Sequence, residues 1–281
     1  MVGHSFAHEP RLGNQGGAAV PRFGCQIRTT NTFVAFLTFT PPTHASSSEP
    51  TMLVLARFAG PNGVISVVED LATGARLYRE GGVVQSRVLA GGEAGVDYII
   101  LMAQLLVGGN VLLLGCGGGA LAGMLHRRGR SVTVVDVNPI SFQLARVFFW
   151  MPDGIECITG DIRDFTRQET RTFASIGIDV GGPRFSYEAL LDRTTVAHIR
   201  RLLRRGGRIA INISYEVIND PVPGRVADLF KAKGFDVWVF CENATGAVEA
   251  NAVILASARA LEPTALAAIA GHHWSLARLI M

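Results

Sequence analysis

Val111-Leu112-Leu113-Leu114-Gly115-Cys116-Gly117-Gly118-Gly119-Ala120 is the stretch on which the reading of this chain turns. Its apolar residues predict a buried strand, and a helical run follows to about Arg128. The glycines between them allow a tight turn and let a ligand approach the helix N-terminus closely. A glycine turn alone says little. Here it has a strand before it, a helix after it, and Asp136 about 20 residues further on, where a ribose-binding acid belongs. A carboxylate there can accept both hydrogen bonds of a vicinal diol. Asp136 could instead cap the helix opening at Asn138-Pro139, but Asn138 can do that itself.

Downstream, strands and helices alternate. Strands are expected at Ser131–Val135, Ile155–Ile158, Ala174–Ile178 and Arg208–Ile213, with helices over Pro139–Trp150, Tyr187–Leu203 and Val222–Lys233. Phe235–Phe240 and Ala252–Ala256 read as a final hairpin. The fold class is therefore α/β: a Rossmann-like, seven-stranded and mostly parallel sheet with helices on both faces. Upstream, short strands at Leu53–Phe58, Val64–Glu69, Arg76–Tyr78 and Val83–Leu89 are separated by glycine turns, which makes residues 52–94 a small antiparallel β module. A helix from about Gly95 to Leu106 opens the larger domain, 95–281. Residues 1–51 are rich in Gly, Pro, Ser and Thr and read as a disordered tail, or as upstream sequence with Met52 as the natural start.

Composition sets limits. The 281 residues are 48% hydrophobic and 17% charged, with a net charge of +3. Such a chain can bury a large core, and it lacks the concentrated basic face that nucleic acid calls for. Arg200, Arg201, Arg204, Arg205 and Arg208 read as a solvated helix end that complements the dipole. Cys25, Cys116, Cys157 and Cys241 are far apart, which favours neither a disulfide framework nor a zinc site. No apolar run is long enough to span a membrane. The expectation is a cytoplasmic protein with no nucleic-acid or membrane partner and no metal. His272 and His273, in an expected C-terminal helical tail, lack the further ligands a metal needs. Cys116 reads as a small loop residue rather than a nucleophile.

In open α/β sheets ligands bind beyond the carboxyl ends of the strands. Those ends supply the glycine loop, Asp136, Gly160-Asp161 and Asp179. Gly115, Gly117 and Ala120 also satisfy a dinucleotide fingerprint, so an oxidoreductase stays open on the loop alone. Gly160-Asp161 tips the choice toward an S-adenosyl nucleoside, with Asp161 taking the adenine amino group and Ile162 covering the ring.

From about Met52 to Ala256 the chain resembles the polyamine aminopropyltransferases, the spermidine synthase family, on the class I methyltransferase fold. The resemblance rests on Gly81-Gly82-Val83-Val84-Gln85, on Asp97-Tyr98, and on the glycine loop. It rests also on Val135-Asp136-Val137-Asn138-Pro139 with Ala145-Arg146 and Phe148-Phe149, on Gly160-Asp161, and on Asp179-Val180-Gly181-Gly182-Pro183. It implies catalytic roles for Asp179 and Tyr98. It implies nucleoside contacts from Gln85, Gly115, Gly117, Gly119, Asp136, Val137, Asp161 and Ile162. It also implies an S-adenosylmethionine or decarboxylated S-adenosylmethionine co-substrate, a small amine acceptor and a homodimer.

Three departures affect the chemistry. The family has an acid at the position of Gly118, which holds the aminopropyl amine and repels the carboxylate of intact S-adenosylmethionine. It has acceptor-binding polar residues where Ile99 and Ile100 stand, and a second catalytic acid where Gly182 stands. Aminopropyl transfer to an amine is the first expectation. Methyl transfer from the intact donor, or nucleoside binding without catalysis, are the alternatives.

Overall fold

The structure is a computed structural model that describes residues 52–60, 63–181, 185–216, 220–243 and 249–278. The expected tail and Gly182 lie outside the described residues. Four strands, β1 (Met52–Gly60), β2 (Gly63–Asp70), β3 (Arg76–Glu80) and β4 (Val83–Val88), form an antiparallel sheet in the order 1-2-3-4. Helix α1 (Asp97–Leu105) leads into the large sheet. That sheet is built from β5 (Asn110–Leu114), α2 (Ala120–Arg127), β6 (Ser131–Asp136), α3 (Pro139–Phe148), β7 (Glu156–Thr159), α4 (Ile162–Gln168) and β8 (Phe173–Ile178). It continues with α5 (Tyr187–Leu190), α6 (Arg193–Leu202), β9 (Leu203–Glu216), α7 (Val222–Lys231), β10 (Asp236–Glu242), β11 (Glu249–Ser257), α8 (Pro263–Ala270) and β12 (Trp274–Arg278).

The strand order is β12-β10-β11-β9-β8-β5-β6-β7. Strands β6 and β8 flank β5, both parallel to it, so the chain order reverses there. Such a switch point opens a crevice at the carboxyl ends of the strands. Its location follows from composition: β5 is buried from Val111 to Leu114, and a strand covered on both faces belongs in the middle of a sheet.

The helices divide between two cores. One joins residues of α1, α2, α3 and α8, and it also takes in Ala56, Ile65, Val67, Tyr78 and Val88 of the small sheet. The other joins residues of α4, α5, α6 and α7. The small sheet thus buries its inner face in the same core as the large one. Arg76 reinforces the junction, donating to the Phe148 carbonyl at 2.7 Å with its guanidinium 4.3 Å from the Trp150 ring centroid.

The structure corrects the sequence reading in several places. All seven expected strands form, and an eighth, β12, pairs with β10 where a helical tail was expected. A run as short as Trp274–Arg278 carries no decisive period, and the edge of β10 supplies the pairing that settles it. The expected helix Tyr187–Leu203 is two helices, because Asp192 caps a new start by accepting from the Thr195 N–H at 2.7 Å. Helix α3 stops at Phe148, and Trp150 takes a left-handed φ of 56°. Helix α4 was not anticipated. Of the basic cluster only Arg200 and Arg201 lie in the last turn of α6; Arg204, Arg205 and Arg208 belong to β9.

Candidate functional site

The glycine loop joins β5 to α2. Gly115, Gly117 and Gly119 have φ of 103°, 50° and 73°, conformations that side chains resist. A Cβ on Gly115 would lie 2.0 Å from the Asp179 carbonyl oxygen, so the ends of β5 and β8 touch only because this residue is glycine. The loop is braced on two sides. The Cys116 N–H donates to Asp136 Oδ2 at 2.9 Å, and the Gly118 N–H donates to Ser86 Oγ of β4 at 2.8 Å. A Cβ on Gly118 would meet Val88 Cγ2 at 3.0 Å and Ser86 Cβ at 3.2 Å. Strand β4 therefore crowds the position at which any side chain here would begin. A narrow cavity of about 20 Å³, room for one water, remains between Ser86, Tyr98, Gly115, Gly118 and Asp179.

Asp136 ends β6. Its Oδ1 accepts from the Asn138 N–H at 2.8 Å, while Asn138 caps α3 by accepting from the Ile140 N–H at 3.1 Å. Asn138 caps the helix as expected, and Asp136 ties the glycine loop to the β6–α3 turn. Burial raises its pKa, and the backbone bonds from Asn138 and Cys116 oppose the rise. Val137 beside it is 68% exposed, an apolar surface at the strand end. The Gly160 N–H donates to the Asp136 carbonyl at 3.0 Å, which brings Asp161 to the same corner. Asp161 caps α4, accepting from the Arg163 and Asp164 N–H groups at 2.8 and 3.2 Å, both on Oδ1. Oδ2 carries neither bond. Ile162 is buried in the second core, so Val137 is the more exposed apolar side chain here.

Asp179 follows β8. Its Oδ1 accepts from Asn212 Nδ2 at 3.0 Å, and the Tyr98 hydroxyl also donates to the carboxylate. Burial pushes its pKa up to about 6, against the pull of those two bonds. Burial and the Asp179 charge together hold Tyr98 well above the usual phenol range. Tyr187 is pushed up to about 12, by burial first, and its hydroxyl oxygen accepts from the Ser214 N–H at 3.1 Å. The structure thus joins the two residues expected to be catalytic and adds Asn212 and Tyr187. Asn212 left a trace in the sequence as the one amide in the apolar run Ile209–Ile213; Tyr187 left none.

Residues 111–207 match the family model described as a methyltransferase domain. No curated protein sequence matches the chain. Among solved structures, a probable spermidine synthase from Corynebacterium glutamicum is similar at 19% identity and a TM-score of 0.62, over 76% of this chain and 85% of that one. A spermidine synthase in complex with the transition-state analogue AdoDATO is similar at 15% identity and 0.58, over 73% and 74%. The spermidine synthase from Thermotoga maritima is similar at 14% identity and 0.55, over 73% of each chain. The fold is the spermidine synthase fold.

Within that fold the remaining candidates are placed as follows. Gln85 is the extra residue of a bulge in β4, between the pairs Tyr78↔Ser86 and Arg79↔Val84. Bulges re-aim side chains, and it is Ser86 that meets the glycine loop. Ile99 is buried and Ile100 is 38% exposed. The Cys116 thiol is pushed up by burial and by Asp136, which disfavours a reactive thiolate. His272 and His273 precede β12, and His273 Nδ1 lies 3.8 Å from Asp97 Oδ2. Among the described residues no cluster of three His, Cys, Asp or Glu is placed to hold a metal, and no helix is long and apolar enough to cross a membrane.

Proposed function

We propose that this chain is an aminopropyltransferase-like enzyme that moves an alkyl group from an S-adenosyl sulfonium to the nitrogen of a small amine. The observation that carries this is the half-buried Asp179, held by Asn212 and Tyr98 against the glycine loop, with its pKa pushed up to about 6. The donor supplies a carbon activated by the adjacent positive sulfur. The amine nitrogen attacks that carbon in line, the carbon–sulfur bond breaks, and its electron pair neutralises the sulfur, leaving a thioether nucleoside. The nitrogen must also lose a proton. Asp179, ionised at neutral pH yet more basic than an ordinary aspartate, is suited to take it. Asp136 and the glycine loop hold the nucleoside, and alignment supplies much of the rate. Transfer of methyl from intact S-adenosylmethionine is the second reading, favoured by Gly118. That residue carries no charge to repel the donor's carboxylate, and β4 fills the space beside it.

Calorimetric titration with decarboxylated S-adenosylmethionine, S-adenosylmethionine and methylthioadenosine tests both. Tighter binding of the decarboxylated donor supports aminopropyl transfer, and tighter binding of the intact donor supports methyl transfer. Binding of none of the three removes the nucleoside reading altogether.

A further inference from the structure

A second cleft opens at the amino-terminal ends of β9 and β10, at the end of the sheet opposite the glycine loop. Its volume is about 210 Å³, against about 20 Å³ for the cavity beside the loop. Arg200, Arg204, Arg205 and Lys233 line it, and no acid does.

The helix dipole accounts for only part of this charge. Arg200 lies in the last turn of α6, where a cation is favoured. Arg204 and Arg205 lie beyond it. The register with β8 jumps from Phe173↔Leu203 to Ser175↔Arg208, so both stand on a bulge of β9, a feature that re-aims side chains. Gly206, with a φ of 78°, admits a fifth cation, since a Cβ there would stand 2.8 Å from Arg259 Nε. None of the five pairs with a carboxylate among the described residues. Asp236, next to the lining residue Phe235, is taken by Arg278 at 2.9 Å. Like charges gathered in this way repel one another and destabilise the folded chain, and an anion in the cleft reverses that effect.

Arg200 is also held in place. Its guanidinium donates to the Lys233 carbonyl and lies 5.8 Å from the Phe235 ring centroid. That bond uses one of five guanidinium N–H groups, which leaves a fixed fork with donors to spare. We propose that this cleft binds a small diphosphate-bearing molecule, with the guanidinium groups of Arg200, Arg204 and Arg205 on its oxygens and Lys233 as a point charge. Guanidinium forks match phosphate oxygens in pairs. The cleft is concave and local, whereas nucleic acid calls for an extended basic face. The site is independent of the S-adenosyl reading.

Calorimetric titration of the full chain with pyrophosphate, inorganic phosphate and a short DNA duplex at fixed ionic strength tests this, with melting temperatures measured alongside. Pyrophosphate should bind at one site, more tightly than phosphate, and raise the melting temperature. The double variant Arg204→Gln, Arg205→Gln should bind pyrophosphate about tenfold or more weakly. Without ligand it should melt no lower than the unaltered chain, because repulsion has been removed. No binding of pyrophosphate by the unaltered chain, or equal binding by the variant, overturns the site. Tighter binding of the duplex than of pyrophosphate, lost in the same variant, overturns the small-molecule assignment in favour of a nucleic-acid face. Should the double variant not fold, Arg200→Lys, which keeps the charge and removes the fork, must weaken pyrophosphate binding, and unchanged affinity there is equally fatal.

Discussion

Asp136 and Asp179 are both half-buried acids at the carboxyl end of the large sheet, yet their partners differ in kind. Asp136 is gripped by two backbone N–H groups, one from each loop it joins. Asp179 is held by two side chains, Asn212 and Tyr98, contributed by elements far apart in sequence. Backbone donors stay put, so Asp136 is built to hold a fixed acceptor geometry, as a binding residue must. Side-chain donors can re-orient when a proton arrives, and burial has already brought the Asp179 pKa to about 6. A group that must receive a proton near neutral pH needs that adjustability.

The sharpest way to break this comparison is Asp179→Asn. Turnover should fall by about 10²–10⁴, while calorimetric affinity for methylthioadenosine stays nearly constant. Stability should move the other way. A carboxylate whose folded pKa is raised above 3.8 favours folding below that value and loses this advantage as pH rises through about 6. At pH 7.5 the buried charge costs on the order of 3 kcal/mol. Asp179→Asn should therefore be more stable than the original at pH 7.5 in urea melts and no more stable at pH 4. An unchanged turnover would end the catalytic assignment.

Asp136→Asn should give the opposite pattern. Nucleoside affinity should drop by about 1.5–3 kcal/mol, read by calorimetry, with a smaller effect on turnover at saturating donor. Because Asp136 also braces Cys116, some loosening of the glycine loop is expected, visible as faster amide exchange at residues 115–119. A collapse of the whole fold would instead make Asp136 a structural residue.

Asn212→Leu should have the smallest effect. It removes a donor that lowers the Asp179 pKa, so the acidic limb of the kcat/KM profile should move to higher pH by up to about one unit. Nucleoside affinity should not change. A limb that stays in place would mean that Asn212 does not govern Asp179.

Legibility in the sequence followed the range of the interaction. The strand–glycine–helix turn, the acid about 20 residues on and the alternation of strands and helices are local patterns, and the strands they implied are present, while the expected helix Tyr187–Leu203 is divided in two. Asn138 was readable as the cap of α3 for the same reason. Asp161 was placed correctly at a strand end, but its capping of α4 was missed because that helix is short and weakly patterned. The bracing of Gly118 by Ser86 was out of reach: the two are 32 residues apart and meet only because β4 lies across the loop.

By itself the sequence determined the sheet's central strand, the conformation of the glycine loop and the acids that end the strands, since backbone sterics and hydrophobic period act over a few residues. Tertiary structure alone decided which side chains converge. It brought Tyr98 and Asn212 to Asp179 and laid β4 over Gly118. Those pairings depend on how the small sheet and α1 settle on a shared core, and packing of that kind leaves no periodic mark in the chain.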